Sequence, residues 1–316
     1  MRVLVTGGAG FIGSHLVDAL VQRKDRVRVL DNLSSGLLRN LRGVARQVEF
    51  IKGDIRNEKV VKRALRGVEV VYHQAALRSV PNSVDKPLEY HEVNATATLN
   101  LFLYAREAKV RRVVYASSSS VYGDNTPLPQ REDMPASPQS PYAASKFASE
   151  IYAAMLTRLH GFDTVGLRYF NVFGPRQSLE NKYAVVIPKF ITCLLDGKHP
   201  PIYGNGKQSR DFTYVKDVVQ ANLRAASAPR ASGQVFNIAN GDRHTVLELA
   251  KVLNKQIGVD IRPAFLSPRP GDVMHTWADI SKAKKILGFR PVCGFVDGLA
   301  RTVDWFSSHR EVWSRC

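Results

Sequence analysis

Near its start the chain reads Gly7-Gly8-Ala9-Gly10-Phe11-Ile12-Gly13, directly after the apolar run Val3-Leu4-Val5. In the residues that follow, Ile12, Leu16 and Leu20 recur at the spacing of one helix face. Glycines at such positions permit a tight turn, let the backbone approach a pyrophosphate and allow close packing of helix on sheet. The stretch therefore predicts a strand, a phosphate-binding turn and a helix; an ordinary glycine turn is the alternative.

Short apolar runs alternate with longer helical patterns through the first half of the chain. This alternation is typical of parallel strands joined by crossover helices, so we predict an α/β fold with a doubly wound parallel sheet. Proline and glycine become denser after Asn171, where we expect a smaller C-terminal domain. The predicted domains are 1–170 and 171–316, with a return of the chain to the first near 211–240. The predicted strands are Val3–Val5, Val27–Leu30, Phe50–Ile51, Val68–Tyr72, Val113–Ala116, Thr164–Leu167 and Val235–Ile238.

The composition of the 316 residues is that of a globular protein, with 44% hydrophobic and 23% charged residues. Such a chain can bury a substantial core, which excludes wholesale disorder. No run approaches the roughly 20 apolar residues that span a bilayer, and the start turns glycine-rich before a signal-peptide core forms, so we expect a cytoplasmic protein. The three cysteines, Cys193, Cys293 and Cys316, lie far apart without CxxC spacing. Neither a disulfide nor a metal site is therefore expected.

The formal net charge is +17. Such a charge fits a nucleic acid, a membrane surface or an anionic small substrate. The basic residues are scattered through amphipathic patterns, with only short clusters such as Lys282/Lys284/Lys285 and no basic tail interleaved with aromatic residues. A solvated basic surface is the interpretation we favour, and neither a nucleic acid nor a membrane is expected as a partner.

Polar residues follow the predicted strands where a dinucleotide would lie. Asp31 ends the second strand, eighteen residues after Gly13, where a carboxylate would accept hydrogen bonds from an adenine ribose and repel a 2′-phosphate. This position favours NAD over NADP. The stretches Asp54-Ile55 and His73-Gln74-Ala75-Ala76 follow the third and fourth strands at the same edge. As alternatives, Asp54 could cap a helix and His73 could be a core histidine whose ring nitrogens are hydrogen-bonded within the protein.

A second group of residues can move protons. Tyr142 and Lys146 are four residues apart near the start of a helical pattern, so both project from one face. A neighbouring ammonium favours the phenolate of a tyrosine, which brings it towards use as a base. Taken alone, such a pair is usually a surface tyrosine beside a solvated lysine. Hydroxyls at 117–120 end the fifth strand at the same sheet edge, however, and together these groups suit oxidation of a carbinol by a nicotinamide.

At this point the sequence resembles the extended short-chain dehydrogenase/reductase family over essentially the whole chain. Within that family it is most similar to the UDP-sugar 4-epimerases, which combine a Rossmann domain with a smaller nucleotide-sugar-binding domain. The motifs that carry the resemblance are Gly7-Gly8-Ala9-Gly10-Phe11-Ile12-Gly13, Ser118-Ser119-Ser120-Val121-Tyr122-Gly123, Ser140-Pro141-Tyr142-Ala143-Ala144-Ser145-Lys146, Arg168-Tyr169-Phe170-Asn171-Val172-Phe173-Gly174-Pro175-Arg176-Gln177 and Ser209-Arg210-Asp211-Phe212.

The resemblance implies catalytic and cofactor roles for individual positions. Tyr142 would be the base, Lys146 its pKa partner and anchor for the nicotinamide ribose, and Ser118 the hydroxyl that bridges to the sugar. Arg78 would approach the cofactor phosphates, and Asn94 would buttress the active site. The implied cofactor-binding positions are Gly7, Gly10, Phe11, Ile12, Gly13, Asp31, Asn32, Asp54, Ile55, Gln74, Ala75, Ala76, Arg78, Asn94, Tyr142 and Lys146.

The resemblance also implies a UDP-sugar substrate. Ser119 and Ser120 would shape the sugar pocket, and Tyr203 would stack near uracil. The implied substrate-binding positions are Ser118, Ser119, Ser120, Asn171, Gln177, Val186, Tyr203, Arg210, Arg269, Asp272 and Thr276. Among these, the family's contacts to UDP correspond to Asn171, Arg210, Arg269 and Asp272. The planar guanidinium of an arginine can donate two hydrogen bonds to a diphosphate. For Arg210 and Arg269, a solvated arginine in a loop is the alternative.

Departures from family patterns indicate the reaction. Relatives that dehydrate or decarboxylate their substrate place an acid beside the catalytic hydroxyl, where this chain has Ser119 and Ser120. Transient oxidation at C4 and reduction on the other face is then the simpler outcome. Asn171 favours a neutral sugar over a uronate, and Thr276 predicts an open gate for an N-acetyl group. Relatives that prefer N-acetylated sugars often have smaller residues at the positions of Arg78 and Val185, which argues against a strict preference for such sugars. We therefore expect both unacetylated hexoses and N-acetylhexosamines to be accepted.

Two other functions remain open at this stage. One is a uronate-directed enzyme or a net oxidoreductase on the same fold, and the other is a catalytically silent NAD-binding regulator. The resemblance further implies a homodimer formed through helices at roughly 90–109 and 142–160. The apolar faces there, for example Leu99 with Leu103 and Phe147 with Ile151, are equally explained by core packing.

Overall fold

The computed structural model describes residues 1–124, 126–179, 185–268 and 273–313. Its strands in chain order are β1 Arg2–Thr6, β2 Arg26–Asp31, β3 Val48–Lys52, β4 Val70–His73, β5 Arg112–Ser118, β6 Thr164–Tyr169, β7 Val172–Phe173, β8 Pro201–Tyr203, β9 Ser209–Arg210, β10 Thr213–Tyr214, β11 Gln234–Ile238, β12 His244–Thr245 and β13 Ala264–Leu266. Its α-helices are α1 Phe11–Gln22, α2 Glu58–Leu65, α3 Val80–Asp85, α4 Pro87–Tyr90, α5 Ala97–Glu107, α6 Pro141–His160, α7 Val186–Leu195, α8 Val215–Ala225, α9 Val246–Ile257, α10 Ser281–Leu287 and α11 Phe295–Ser308. A π-helical stretch, His91–Thr96, joins α4 to α5, and 3-10 segments span Leu38–Gln47, Ser119–Tyr122 and Arg310–Val312.

Seven strands form one parallel sheet in the order β11-β6-β5-β4-β1-β2-β3. This confirms the predicted α/β fold with a doubly wound parallel sheet. Each predicted strand overlaps an observed one, although β4 begins at Val70 rather than at Val68. The backbone N–H of Val68 donates to the carbonyl of Leu65 and so belongs to the turn after α2. Late in the chain, β11 joins the sheet beside β6.

Both faces of the sheet are buried, and successive side chains pack on opposite sides. Val3 and Val5 of β1 pack into one apolar cluster, and Leu4 between them packs into another. All three are fully buried, as expected for a parallel strand covered by helices on both faces. A third cluster, which includes Phe190, is built from later segments.

Residues at both ends of helix α6 explain where the helix begins and ends. The side chain of Ser140 accepts a hydrogen bond from the backbone N–H of Ala143, and Pro141 occupies the first turn. The helix ends at Gly161, which adopts the left-handed conformation with φ 62°. These signals place Tyr142 and Lys146 in the first two turns, next to the end of β5.

No helix in the described part of the chain is both long and apolar enough to cross a membrane. The same residues contain no group of three or more His, Cys, Asp or Glu side chains arranged to hold a metal ion. Cys193 and Cys293 are buried free thiols, and Cys316 lies outside the described residues.

Candidate active site

A cavity of about 430 Å³ opens at the carboxyl edge of the main sheet. Parallel strands that end side by side make this edge the usual ligand site of such folds. Most of the site residues predicted from the sequence line this one cavity. They are Gly7, Gly10, Phe11, Ile12, Gly13, Asp31, Asn32, Asp54, Ile55, Gln74, Ala75, Ala76, Arg78, Ser118, Ser119, Ser120, Tyr142, Lys146, Asn171 and Gln177.

The remaining predicted positions lie elsewhere. Asn94, Val186, Tyr203, Arg210 and Thr276 are not among the residues that line the cavity, as far as the described chain shows. Arg269 and Asp272 lie outside the described residues. Asn94 stands behind the cavity wall, where its amide exchanges hydrogen bonds with the backbone of Leu77 and donates to Ser145 Oγ at 3.2 Å. Val186 begins α7, immediately after the cavity-lining Val185.

The glycine turn between β1 and α1 leaves room for a phosphate. A Cβ atom on Gly13 would overlap the carbonyl oxygen of Gly7, and one on Gly7 would lie 2.7 Å from the Cα of Ala75. Gly10 precedes α1 and offers no side-chain cap, and the first turn of the helix carries no acidic residue. The N–H groups of this turn and the helix dipole therefore favour an anion in the cavity.

The end of β2 forms the predicted adenosine side of the cavity. The two carboxylate oxygens of Asp31 accept hydrogen bonds from the backbone N–H groups of Ala9, at 2.9 Å, and Leu33, at 2.8 Å. Burial raises the pKa of Asp31, and these two hydrogen bonds oppose the rise. The Asn32 amide donates to Asp54 at 2.9 Å and so joins the ends of β2 and β3. These residues and the glycine turn fit a dinucleotide whose ribose hydroxyls meet a carboxylate.

Sequence reasoning missed Arg56 and the segment Ser34–Leu37, which also line the cavity. Arg56 forms a bidentate pair with Asp54, at 2.9 Å for both nitrogens, and this pairing is the main reason that the pKa of Asp54 falls to about 2. The two-residue spacing of Asp54 and Arg56 was a visible signal. So was the polar, glycine-containing segment directly after Asp31.

Ser118 and Tyr142 meet inside the cavity. Ser118 ends β5, and its hydroxyl accepts from the backbone N–H of Ser120 and contacts Ser120 Oγ, both at 3.1 Å. The Ser118 side chain lowers the pKa of the Tyr142 phenol, against a larger rise caused by burial. The fold therefore brings Ser118 and Tyr142 to the same cavity.

Lys146 differs from expectation in its electrostatic effect. We predicted that its charge would favour the Tyr142 phenolate, yet burial raises the pKa of Tyr142, and the cation that opposes this rise is Arg78. The ammonium of Lys146 donates instead to the backbone carbonyl of Ala116 at 2.9 Å. Burial also lowers the pKa of Lys146 itself to about 8. The physical reason is that Lys146 is buried and Tyr142 is half-buried, which disfavours the charged form of each.

Asn171 lines the cavity at the junction between β6 and β7. Its amide nitrogen donates to Thr276 Oγ1 at 2.9 Å and to the backbone carbonyl of Asp211 at 3.3 Å. Thr276 was predicted as an open gate beside the sugar; the structure places its hydroxyl against Asn171. Gln177 lies nearby and donates to the carbonyl of Val172 at 2.9 Å. Arg210, on β9, donates to backbone carbonyls of Ser209 and Met274.

Comparisons with known proteins identify the family of this chain. The model of the NAD dependent epimerase/dehydratase family matches residues 3–239. The UDP-glucose 4-epimerase of Mycolicibacterium smegmatis is 41% identical over 320 residues, which cover 98% of this chain and 100% of that protein. Among solved structures, the UDP-N-acetylglucosamine 4-epimerase of Methanobrevibacter ruminantium M1, in complex with UDP-N-acetylmuramic acid, has a TM-score of 0.93 and 43% identity. The match covers 97% of this chain and 98% of the epimerase chain.

A dehydratase is structurally similar as well. The dTDP-glucose 4,6-dehydratase of Streptomyces venezuelae, solved with NAD bound, has a TM-score of 0.92 and 37% identity, and covers 100% of this chain and 99% of its own. Similarity of this extent to both kinds of enzyme shows the family without separating its reactions. This chain belongs to the NAD-dependent epimerase/dehydratase family, and its cofactor is NAD.

Proposed function

We propose that this chain is a UDP-sugar 4-epimerase that interconverts UDP-glucose with UDP-galactose and UDP-N-acetylglucosamine with UDP-N-acetylgalactosamine. The observation that carries the proposal is the convergence of Ser118, Tyr142 and Lys146 on one cavity, with serines at 119 and 120. The family resemblance and the epimerases among the similar proteins support it.

The hydroxyl pair supplies the proton transfers. NAD would be held by the glycine turn and Asp31, and it would supply the acceptor and donor of the C4 hydride, so that C4 can be oxidised and then reduced on its opposite face. The side chain of Tyr142, in the phenolate form that Ser118 and Arg78 favour, takes the 4-hydroxyl proton in the first half and gives it back in the second. Ser118, whose hydroxyl contacts that of Ser120 at 3.1 Å, lines the same cavity and can hold the reacting oxygen. Lys146, fixed by the Ala116 carbonyl, is the residue we assign to the nicotinamide ribose.

Dehydration needs an additional acid or base beside the reacting carbon. The acidic side chains in the described lining of the cavity are Asp31, Asp54 and Glu89. Asp31 ends β2 and Asp54 follows β3, and both lie on the adenosine side of the cavity. The carboxylate of Glu89 pairs with Lys86 at 3.7 Å. With serines at 119 and 120, this chain has no carboxyl group next to Ser118 in the sequence, which favours return of the hydride to C4 over elimination.

The remaining site residues are assigned to the substrate. We assign Gln177, Val186, Tyr203 and Arg210, with Arg269 and Asp272, to the UDP group. Asn171, which the family resemblance places at UDP, we assign instead to the sugar. A neutral sugar is favoured because Asn171 supplies an amide where an anionic sugar would need a cation.

The experiment is incubation of the purified protein and NAD with UDP-glucose, UDP-N-acetylglucosamine, UDP-glucuronate and dTDP-glucose, followed by NMR identification of the products. We expect the two neutral UDP-sugars to invert at C4, without stoichiometric NADH absorbance at 340 nm. Formation of a 4-keto-6-deoxy sugar from dTDP-glucose would identify a dehydratase. Inversion of the uronate alone would contradict the neutral-sugar assignment, and net NADH release would identify an oxidoreductase.

We also propose that the protein is a homodimer that pairs through α6. Ile151 and Leu159 of this helix are 53% and 61% exposed, and Met155 lies between them at helical spacing. This stripe is an apolar surface on the helix that carries Tyr142 and Lys146 near its start. A partner on it would bury the stripe without covering the cavity, which opens at the sheet edge.

A further inference from the structure

We propose that Thr276 is a positioning residue: its hydroxyl holds the Asn171 amide so that Asn171 presents its carbonyl oxygen to the sugar of the substrate. The inference rests on the proposed function and names the part of the substrate that Asn171 recognises. It also replaces the expectation that Thr276 acts only through its small size.

The orientation of the amide follows from its two acceptors. Asn171 Nδ2 lies 2.9 Å from Thr276 Oγ1 and 3.3 Å from the backbone carbonyl oxygen of Asp211. A carbonyl oxygen can only accept a hydrogen bond, so the nitrogen of the amide, rather than its oxygen, must face Asp211. Both N–H groups of Asn171 are then engaged inside the protein, and Oδ1 is the atom left for a ligand in the cavity that Asn171 lines.

The chemistry of this oxygen limits what it can bind. An amide oxygen accepts hydrogen bonds and cannot donate to the oxygens of a diphosphate, which are themselves acceptors at neutral pH. A sugar hydroxyl or the N–H of an acetamido group is a donor of the required kind. Asn171 therefore binds the sugar through a hydrogen bond that its Oδ1 accepts, and the diphosphate requires cationic residues elsewhere.

Thr276 ties together segments that are far apart in the chain. Its hydroxyl oxygen also accepts from the backbone N–H of Asp211 at 3.3 Å, so one atom receives hydrogen bonds from both Asn171 and Asp211. The Asp211 carboxylate in turn accepts from the backbone N–H groups of Asn240, Gly241 and Ala278. The anchor that Thr276 provides is thus itself held in place.

The backbone of Asn171 makes the side-chain anchor more important. Its φ of 32° is in the left-handed region, which asparagine tolerates better than most residues. This residue immediately follows β6 and precedes β7, so the chain turns sharply there. The backbone directs the amide towards Thr276, and the two hydrogen bonds fix its rotation.

The test replaces the hydroxyl without changing the volume. Thr276→Val keeps the shape of the side chain but removes both accepted hydrogen bonds, whereas Thr276→Ser keeps the hydroxyl. The matched control is Thr213→Val, because Thr213 is fully buried and its hydroxyl has no partner in the described structure. KM and kcat for UDP-glucose and UDP-N-acetylglucosamine are measured for each variant, together with the Kd of UDP and of UDP-glucose.

We expect Thr276→Val to raise KM and the Kd of UDP-glucose roughly tenfold, because a buried donor is left unpaired and the amide is free to turn. The Kd of UDP should change less than about threefold, since UDP lacks the sugar. Thr276→Ser should restore most of the loss, and Thr213→Val should match the wild type.

Three results would overturn the inference: an unchanged KM in Thr276→Val, an equal loss of affinity for UDP and UDP-glucose, or the same loss in Thr213→Val. A wild-type protein that binds UDP-glucose but inverts no sugar would count against the proposed function. The comparison of UDP with UDP-glucose affinity would still test the role of Thr276.

Discussion

The guanidinium of Arg168 donates two hydrogen bonds to the carboxylate of Glu150, from Nε at 2.9 Å and from Nη2 at 2.7 Å, and both side chains are almost completely buried. The hydroxyl of Ser117 donates to the same carboxylate at 2.5 Å. Glu150 lies one turn after Lys146 on α6, and Ser117 precedes Ser118 on β5. Glu150 therefore fixes the helix that carries Tyr142 and Lys146 against β6, through Arg168, and against the strand that carries Ser118, through Ser117.

Removing the charge of Glu150 should destabilise the protein strongly. In Glu150→Gln the buried Arg168 loses its counter-ion, and an uncompensated buried charge costs about 3–5 kcal/mol of unfolding free energy. The measurement is urea unfolding followed by tryptophan fluorescence. Glu58→Gln is the control, since Glu58 pairs with Lys62 on the exposed face of α2, and its free energy of unfolding should stay at the wild-type value. Equal losses in the two variants would contradict the role assigned to the buried pair.

Gly13→Ala should abolish NAD binding. The new Cβ would overlap the carbonyl oxygen of Gly7, a backbone atom that cannot move without displacing the phosphate turn. NAD affinity is measured by calorimetry, and the fold is checked by circular dichroism. The control is Gly43→Ala, because no atom lies within 4 Å of the Cβ that would be added there. Wild-type NAD affinity in Gly13→Ala would show that the cofactor phosphates lie elsewhere.

Tyr142→Phe should lower turnover by about two to four orders of magnitude, because the phenol oxygen is the proposed acceptor and donor of the 4-hydroxyl proton. NAD affinity should be retained, since the glycine turn and Asp31 are unchanged. Epimerisation of UDP-glucose is followed by NMR. Tyr152→Phe, on the same helix but not among the residues that line the cavity in the described structure, should keep wild-type turnover. A catalytically silent regulator would be indifferent to both changes.

His73 should make stability depend on pH. It is fully buried between the hydroxyls of Thr6, at 2.7 Å, and Thr98, at 2.9 Å, and burial lowers its pKa to about 3. In the unfolded chain a histidine titrates near 6.5, so between about pH 6.5 and 3 the unfolded state binds the extra proton. The stability that neutral His73 contributes is therefore present above pH 6.5 and is lost as the pH falls towards 3.

The measurement compares the wild type with His73→Gln in urea unfolding across pH 4–8. The wild type should lose stability more steeply below pH 6, by about 1.4 kcal/mol per pH unit for one proton. Above about pH 7.5 the two slopes should coincide, because histidine is neutral in both states. Parallel curves over the whole range would show that the pKa of His73 is the same in the folded and unfolded states.

Ile151→Glu should convert the proposed dimer into a monomer. A carboxylate in the middle of the apolar stripe on α6 would lose its hydration if a partner helix packed there, which costs more than the contact contributes. Mass is measured by light scattering after gel filtration, against 35.2 kDa for one chain. The control is Val292→Glu, because Val292 is 74% exposed and lies outside α6. A monomeric wild type would contradict the dimer.

Local patterns predicted the architecture well. The glycine turn could be predicted because it depends only on residues that are close together in the sequence. The strands could be predicted because each is a short apolar run. The helix carrying Tyr142 and Lys146 was predictable for the same reason, since Ser140, Pro141 and Gly161 act on the backbone next to them. The carboxyl-edge position of Asp31 and Ser118 then followed from the rule that parallel strands end side by side.

Relationships between distant segments were not predictable. The anchoring of Asn171 joins residues 105 positions apart, and no local pattern marks Thr276 as its partner. Glu150 continues the four-residue spacing of Tyr142 and Lys146, but nothing in that spacing identifies Arg168 across the helix–sheet interface. The expected effect of Lys146 on the pKa of Tyr142 also did not appear, because it depended on how deeply both groups are buried.

The sequence by itself determined the order of strands and helices, the glycine turn and the chemical identity of the groups that we propose to react, because each depends on neighbouring residues or on spacing along one helix. Only the tertiary structure decided which carboxylate meets Arg168, which hydroxyl orients Asn171, and whether burial or a nearby charge dominates at Tyr142. Those outcomes depend on the exclusion of water and on distances between segments, which arise only when the chain is packed.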